Sequence, residues 1–180
     1  MNKLILTNSE LQKLVHKICR LITNSGWRPD YIVGINRGGL VPAVMISHYF
    51  GVPMKPLQVS LRDGGECVSD LSMAEDAFGY HRVDDLPGSS NPALRKNILI
   101  VDDINDSGAT FNWIIDDWPS GCIPNDPIWQ NVWNNSVRFA VLVDNLASKC
   151  KINMAYTGME VNKAEKDVWI EFPYEAWWEQ

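Results

Sequence analysis

Asn97-Ile98-Leu99-Ile100-Val101-Asp102-Asp103-Ile104-Asn105-Asp106-Ser107-Gly108-Ala109-Thr110-Phe111 is the stretch whose reading decides the fold. Ile98 to Val101 are apolar and mostly β-branched, the pattern of a strand buried on both faces in a parallel sheet. Two carboxylates stand where that strand ends. A small, Gly-containing turn from Asp106 to Thr110 leads into a helical run through Phe111, Trp113, Ile114 and Ile115. Strand, acidic pair, tight turn and helix together describe a ligand site at the carboxyl end of an open α/β sheet.

The backbone of the turn sets its chemistry. Successive N–H groups in Ser107-Gly108-Ala109-Thr110 converge on one concavity with a helix dipole behind them. Such a nest accepts a phosphate, and Ser107 and Thr110 add hydroxyl donors. Asp102 and Asp103 would repel that phosphate, so they face another part of the ligand. Carboxylates beside a phosphate site hold sugar hydroxyls or Mg²⁺. A phosphorylated ribose satisfies both halves. An isolated Asp-Asp pair would be read as capping the next helix, but the whole string favours the ligand site.

The run Val101 to Thr110 resembles the phosphoribosyl-pyrophosphate (PRPP) motif of type I phosphoribosyltransferases: a hydrophobic strand, two acidic residues, two variable residues, then Asp-Thr/Ser-Gly-x-Thr. The resemblance implies that Asp102 and Asp103 contact the ribose hydroxyls and hold Mg²⁺, directly or through PRPP hydroxyls and water. It implies that Asp106, Ser107, Gly108, Ala109 and Thr110 wrap the 5′-phosphate, and that Asp106 is the proton acceptor for the base. The implied fold is α/β, a mainly parallel central sheet flanked by helices, with a small hood subdomain.

A second stretch repeats the architecture. Tyr31-Ile32-Val33-Gly34-Ile35 reads as a buried strand, Asn36-Arg37-Gly38-Gly39 as a Gly-rich turn, and Leu40 to Tyr49 as a helix. This turn carries a cation and suits a more highly charged anion. It is similar to the pyrophosphate loop of xanthine-guanine phosphoribosyltransferases. The resemblance implies that Asn36, Arg37, Gly38 and Gly39 bind pyrophosphate, and that the peptide before Arg37 is cis.

Composition narrows the class. The chain has 180 residues, 46% of them hydrophobic, and a formal net charge of -6. That is one domain, residues 1–180, with ample core, and its charge disfavours a nucleic-acid partner. No apolar run reaches the roughly 18–20 residues of a membrane helix and no signal peptide opens the chain, so a cytoplasmic protein without membrane contact is expected. Cys19, Cys67, Cys122 and Cys150 are scattered without a C-x-x-C pair, and His16, His48 and His81 are equally dispersed. Reduced thiols and no His/Cys metal site follow.

The remaining segments fill in the frame. Thr7-Asn8-Ser9-Glu10 fits a capping box before a helix whose apolar residues run from Leu11 to Ile22. Val52 to Leu61 reads as a third strand and Val137 to Val143 as another. Residues 62–96 form a long connection, with a short helix expected near Ser72 to Phe78. The family places a mobile hood loop here, from which Arg62 and Arg82 are candidates to reach pyrophosphate. Residues 117–135 are a Trp-rich insertion; Trp113, Trp118, Trp129 and Trp133 offer stacking surfaces, but aromatics in this number more often fill a core or an oligomer interface. A homo-oligomer, dimer or tetramer, is expected.

The tail, residues 152–180, contains Asp167-Val168-Trp169-Ile170-Glu171-Phe172-Pro173-Tyr174-Glu175, similar to the purine pocket of xanthine-guanine and hypoxanthine-type enzymes. By that resemblance Trp169 stacks on the base, Ile170 offers backbone contacts and Glu175 lies near the purine C2 substituent. An amphipathic edge strand with Trp169 on the core is the plainer alternative. One position departs from the family: Asn145 stands where 6-oxopurine enzymes carry a Lys that donates to O6, and an amide both donates and accepts. The expected activity is Mg²⁺-dependent transfer of phosphoribose from PRPP to a nucleobase, a 6-oxopurine favoured, with release of pyrophosphate. The alternatives are a PRPP-binding regulatory protein without transferase activity and transfer to, or hydrolysis on, an unusual acceptor.

Overall fold

The computed structural model describes residues 2–62, 64–80 and 90–179. Among the described residues, seven strands and four α-helices follow one another as β1 (Asn2–Ile5), α1 (Asn8–Asn24), β2 (Tyr31–Ile35), α2 (Leu40–Phe50), β3 (Met54–Leu57), α3 (Leu71–Phe78), β4 (Ile98–Asn105), α4 (Ala109–Gly121), β5 (Val137–Asn145), β6 (Tyr156–Val161) and β7 (Val168–Glu171). Five strands make one all-parallel sheet in the order β3-β2-β4-β5-β6. β1 and β7, from opposite ends of the chain, form a separate parallel pair with Asn2 opposite Val168.

Side chains alternate across the sheet, and this divides the core in two. Tyr31, Val33, Ile98, Ile100, Phe139 and Val141 pack under α3, α4 and the Trp-rich segment. Ile32, Leu99, Val101, Ala140 and Leu142 pack under α1, α2 and the β1–β7 pair. Both faces are covered, so these strands read as continuous apolar runs. Helix α1 starts as its sequence indicates: the Thr7 hydroxyl accepts the Glu10 N–H at 3.2 Å, and the Thr7 N–H donates to Glu10 at 2.7 Å.

The Trp residues of the insertion are core. Trp118 and Trp129 are buried; Trp129 stacks on Trp133 at 6.0 Å and its indole N–H donates to the Cys122 carbonyl at 3.0 Å. The third strand is shorter than Val52 to Leu61. Beyond Leu57 the chain turns into a hairpin in which Val59 bridges Cys67. The sheet order sets the location of the site. From β2 the chain moves outward to β3 on one side, while β4, β5 and β6 build outward on the other. The connection reverses between β2 and β4, and ligands sit at such a switch point.

Candidate active site

Two loops face each other at that switch point. The loop after β2 carries Asn36 to Gly39, and the Asn36–Arg37 peptide is cis, as the resemblance implied. The end of β4 carries Asp102 and Asp103, and the loop beyond carries Asp106 to Gly108. The loops touch because residue 38 has no side chain: a Cβ there would overlap the Asp103 carboxylate. At residue 39 a Cβ would overlap the Val101 carbonyl oxygen.

The phosphate nest is braced from behind. Gly108 has φ +86°, and a Cβ on it would overlap the Cys150 backbone nitrogen. The Lys149 N–H donates to the Ser107 carbonyl at 3.0 Å. Asn112, in the first turn of α4, donates to the Lys149 carbonyl at 3.0 Å and accepts the Lys151 N–H at 2.8 Å. The segment after β5 thus holds the turn against the start of the helix, leaving the nest open to a cavity of about 720 Å³.

That cavity gathers most of the residues singled out in the sequence. Asn36, Arg37, Gly38, Arg62, Asp102, Asp103, all of Asp106 to Thr110, Trp169, Ile170 and Glu175 line it. Trp169, 40% exposed, stands at the wall formed by β7 and the tail. Gly39 is buried beneath the loop. Arg82 lies outside the described residues.

Asn145 is the exception. It is only 6% exposed, and its amide is spent chiefly on the backbone: Nδ2 donates to the Asp106 carbonyl at 2.9 Å and, more weakly, to Asp106 Oδ1 at 3.5 Å, and its own Oδ1 accepts the N–H groups of Ala147 and Lys163, each at 3.1 Å. The side chain that enters the cavity instead is Lys163, from the loop after β6. Its ammonium lies 2.9 Å from Asp106 Oδ1, while Arg62 approaches Oδ2 of the same carboxylate at 3.4 Å. Sequence reasoning missed Lys163. It has no motif around it, and only the fold of the β6–β7 connection brings it to Asp106.

The acidic pair is held at an electrostatic cost. Burial, and then the neighbouring Asp103 charge, hold the Asp102 carboxyl well above the usual carboxylate range. Burial also raises Asp103, opposed by the Tyr174 hydroxyl, which donates to Asp103 Oδ2 at 3.1 Å. Buried like charges at a cavity wall mark a place for cations or hydroxyl donors.

A family model described as the phosphoribosyl transferase domain matches residues 2–176. The chain belongs to that family. Among solved structures, this phosphoribosyltransferase is similar to a purine phosphoribosyltransferase from Pyrococcus horikoshii Ot3, with 23% identity, TM-score 0.61, and 97% of this chain and 95% of that one covered. A xanthine-guanine-hypoxanthine phosphoribosyltransferase from Helicobacter pylori matches at 14% identity and TM-score 0.63, over 99% and 97% of the two chains. A hypothetical protein from Neisseria gonorrhoeae with bound ppGpp matches at 22% identity and TM-score 0.62, over 97% and 90%. These likenesses are in fold. Among the described residues, no helix of the phosphoribosyltransferase is long and apolar enough to cross a membrane.

Proposed function

We propose that this phosphoribosyltransferase transfers phosphoribose from PRPP to a ring nitrogen of a purine-type base, with a 6-oxopurine favoured, and releases pyrophosphate. The observation that carries the reading is convergence. A phosphate nest, an acidic pair, a cationic Gly-rich loop and an exposed Trp line a single cavity at the sheet's switch point.

In this reading the N–H groups and hydroxyls of Asp106 to Thr110 take the 5′-phosphate, and Asp102 and Asp103 take the ribose hydroxyls. Asn36, Arg37 and Gly38 take the pyrophosphate. Breaking the bond between the anomeric carbon and pyrophosphate leaves positive charge on the sugar and negative charge on the leaving group. Carboxylates beside the ribose and donors around the pyrophosphate stabilise both at once. Trp169 stacks on the incoming base, and Asp106 accepts its proton. Lys163 holds an ammonium beside Asp106, the residue read here as the proton acceptor of the base, which supports a ring bearing a carbonyl oxygen over one bearing an amino group.

Mg²⁺ fits the donor set. Among the described residues no group of three or more His, Cys, Asp or Glu side chains forms a cage. Two adjacent hard carboxylates, Asp102 and Asp103, suit an ion held by one or two protein oxygens with substrate oxygens and water completing its shell. When bound, the ion supplies charge stabilisation for the departing pyrophosphate. The test is incubation with PRPP, Mg²⁺ and a panel of bases, with the nucleoside 5′-monophosphate identified by mass. Formation of a 6-oxopurine nucleotide supports the reading. PRPP binding without any nucleotide product would replace it with the regulatory alternative.

A further inference from the structure

Tyr174 has no task in the chemistry above, yet it touches the acidic pair. It follows β7 in a tight turn that closes on itself: the Glu175 carboxylate accepts the Phe172 N–H at 2.7 Å, and the Glu175 N–H donates to the Phe172 carbonyl at 3.0 Å. The Tyr174 ring stacks parallel on Phe172, with centroids 5.5 Å apart and planes 6° from parallel. Phe172 is itself buried in the core beneath the β1–β7 pair. The phenol is therefore carried on a rigid mount, and from it the hydroxyl reaches Asp103 Oδ2 at 3.1 Å. Gly38 of the loop after β2 meets the same carboxylate. Asp103 is thus gripped between the loop read as binding pyrophosphate and the tail read as binding the base.

We infer that Tyr174 is a positioning residue: its hydroxyl holds Asp103 in the orientation that receives the ribose, so PRPP affinity depends on the order of the C-terminal tail. This rests on the reading of Asp102 and Asp103 as ribose ligands. It goes further by joining two subsites that the reaction scheme treats separately.

The test is Tyr174→Phe, which keeps the ring, its stacking and its packing and removes one hydroxyl. Binding of PRPP with Mg²⁺ is measured by calorimetry on wild type and variant, together with the KM for hypoxanthine and the melting temperature. The expected result is PRPP binding weakened about tenfold, with the KM for hypoxanthine changed less than about twofold and melting shifted by no more than a few degrees. Unchanged PRPP affinity in the variant, with wild type binding normally, overturns the role of Tyr174 and leaves the site assignment standing. Tighter PRPP binding also overturns it, since the phenol would then obstruct the ribose. Wild type that does not bind PRPP at all overturns both.

Discussion

The side-chain carbonyl of Asn145 accepts the backbone N–H of Lys163 at 3.1 Å, while its amide nitrogen donates to the Asp106 carbonyl at 2.9 Å. One buried amide thereby fixes the spacing of two loops, and between them the Lys163 ammonium meets the Asp106 carboxylate. A buried side chain at the end of β5, behind Asp106, positions one from the β6–β7 loop that lines the cavity.

Lys163 is accordingly predicted to set base preference. Lys163→Gln keeps a donor, on a side chain one atom shorter, and removes the charge. Its kcat/KM for hypoxanthine should fall about 10- to 100-fold while that for adenine changes little, because a charge-assisted bond to a carbonyl oxygen is replaced by a neutral one. Equal losses on both bases would assign Lys163 to holding Asp106 alone.

Gly38→Ala places a methyl group where the Asp103 carboxylate lies. Either the loop or the carboxylate must move, and displacement by about 1 Å in a reacting site costs on the order of 100-fold in rate. Steady-state kinetics should show that loss in kcat/KM for PRPP. An active variant with unchanged PRPP kinetics would show that the contact between the two loops is dispensable.

Asp102→Asn should raise the melting temperature of the ligand-free protein at pH 7.5 while reducing turnover. The folded-state carboxyl of Asp102 sits above its usual value of 3.8, chiefly through burial and then through Asp103. The folded state therefore binds that proton more tightly than the unfolded chain, and stability is lost as pH rises through the raised value. Removing the charge should add about 1 kcal/mol, or about 2–4 °C for a chain of this size, at neutral pH. The gain should shrink as pH falls and the wild-type carboxyl takes up its proton. A variant that melts lower at pH 7.5 would contradict this sign.

Trp129→Ala removes a buried ring that packs tilted against Phe78 and stacks on Trp133. Loss of such a ring costs about 3–5 kcal/mol, so the melting temperature should drop by about 6–20 °C. A variant that keeps its melting temperature would contradict the assignment of this segment to the core.

The two loops and the strands that carry them were legible because their chemistry is local. A parallel strand buried on both faces must be apolar along its whole length, and a nest at a helix start needs small residues. What was not legible depends on distant pairing. β1 and β7 are four residues each, from opposite ends of the chain, and neither has a periodicity that names its partner. β4 also runs on through Asn105, because Asp102 and Ile104 stay paired with β5 after the apolar run has ended. Lys163 lies in Asn162-Lys163-Ala164-Glu165-Lys166, which reads as any solvated turn. The departure at Asn145 was visible, but its role was not, since an amide shows in sequence neither burial nor partners.

Pyrophosphate release from PRPP, with Mg²⁺ and hypoxanthine, tests the central claim most directly when wild type is set beside Asp106→Asn. The account predicts base-dependent release by wild type and a fall of about 100-fold or more in the variant, which keeps its shape but loses the proton acceptor. Release that needs no base, or that survives in the variant undiminished, would contradict it.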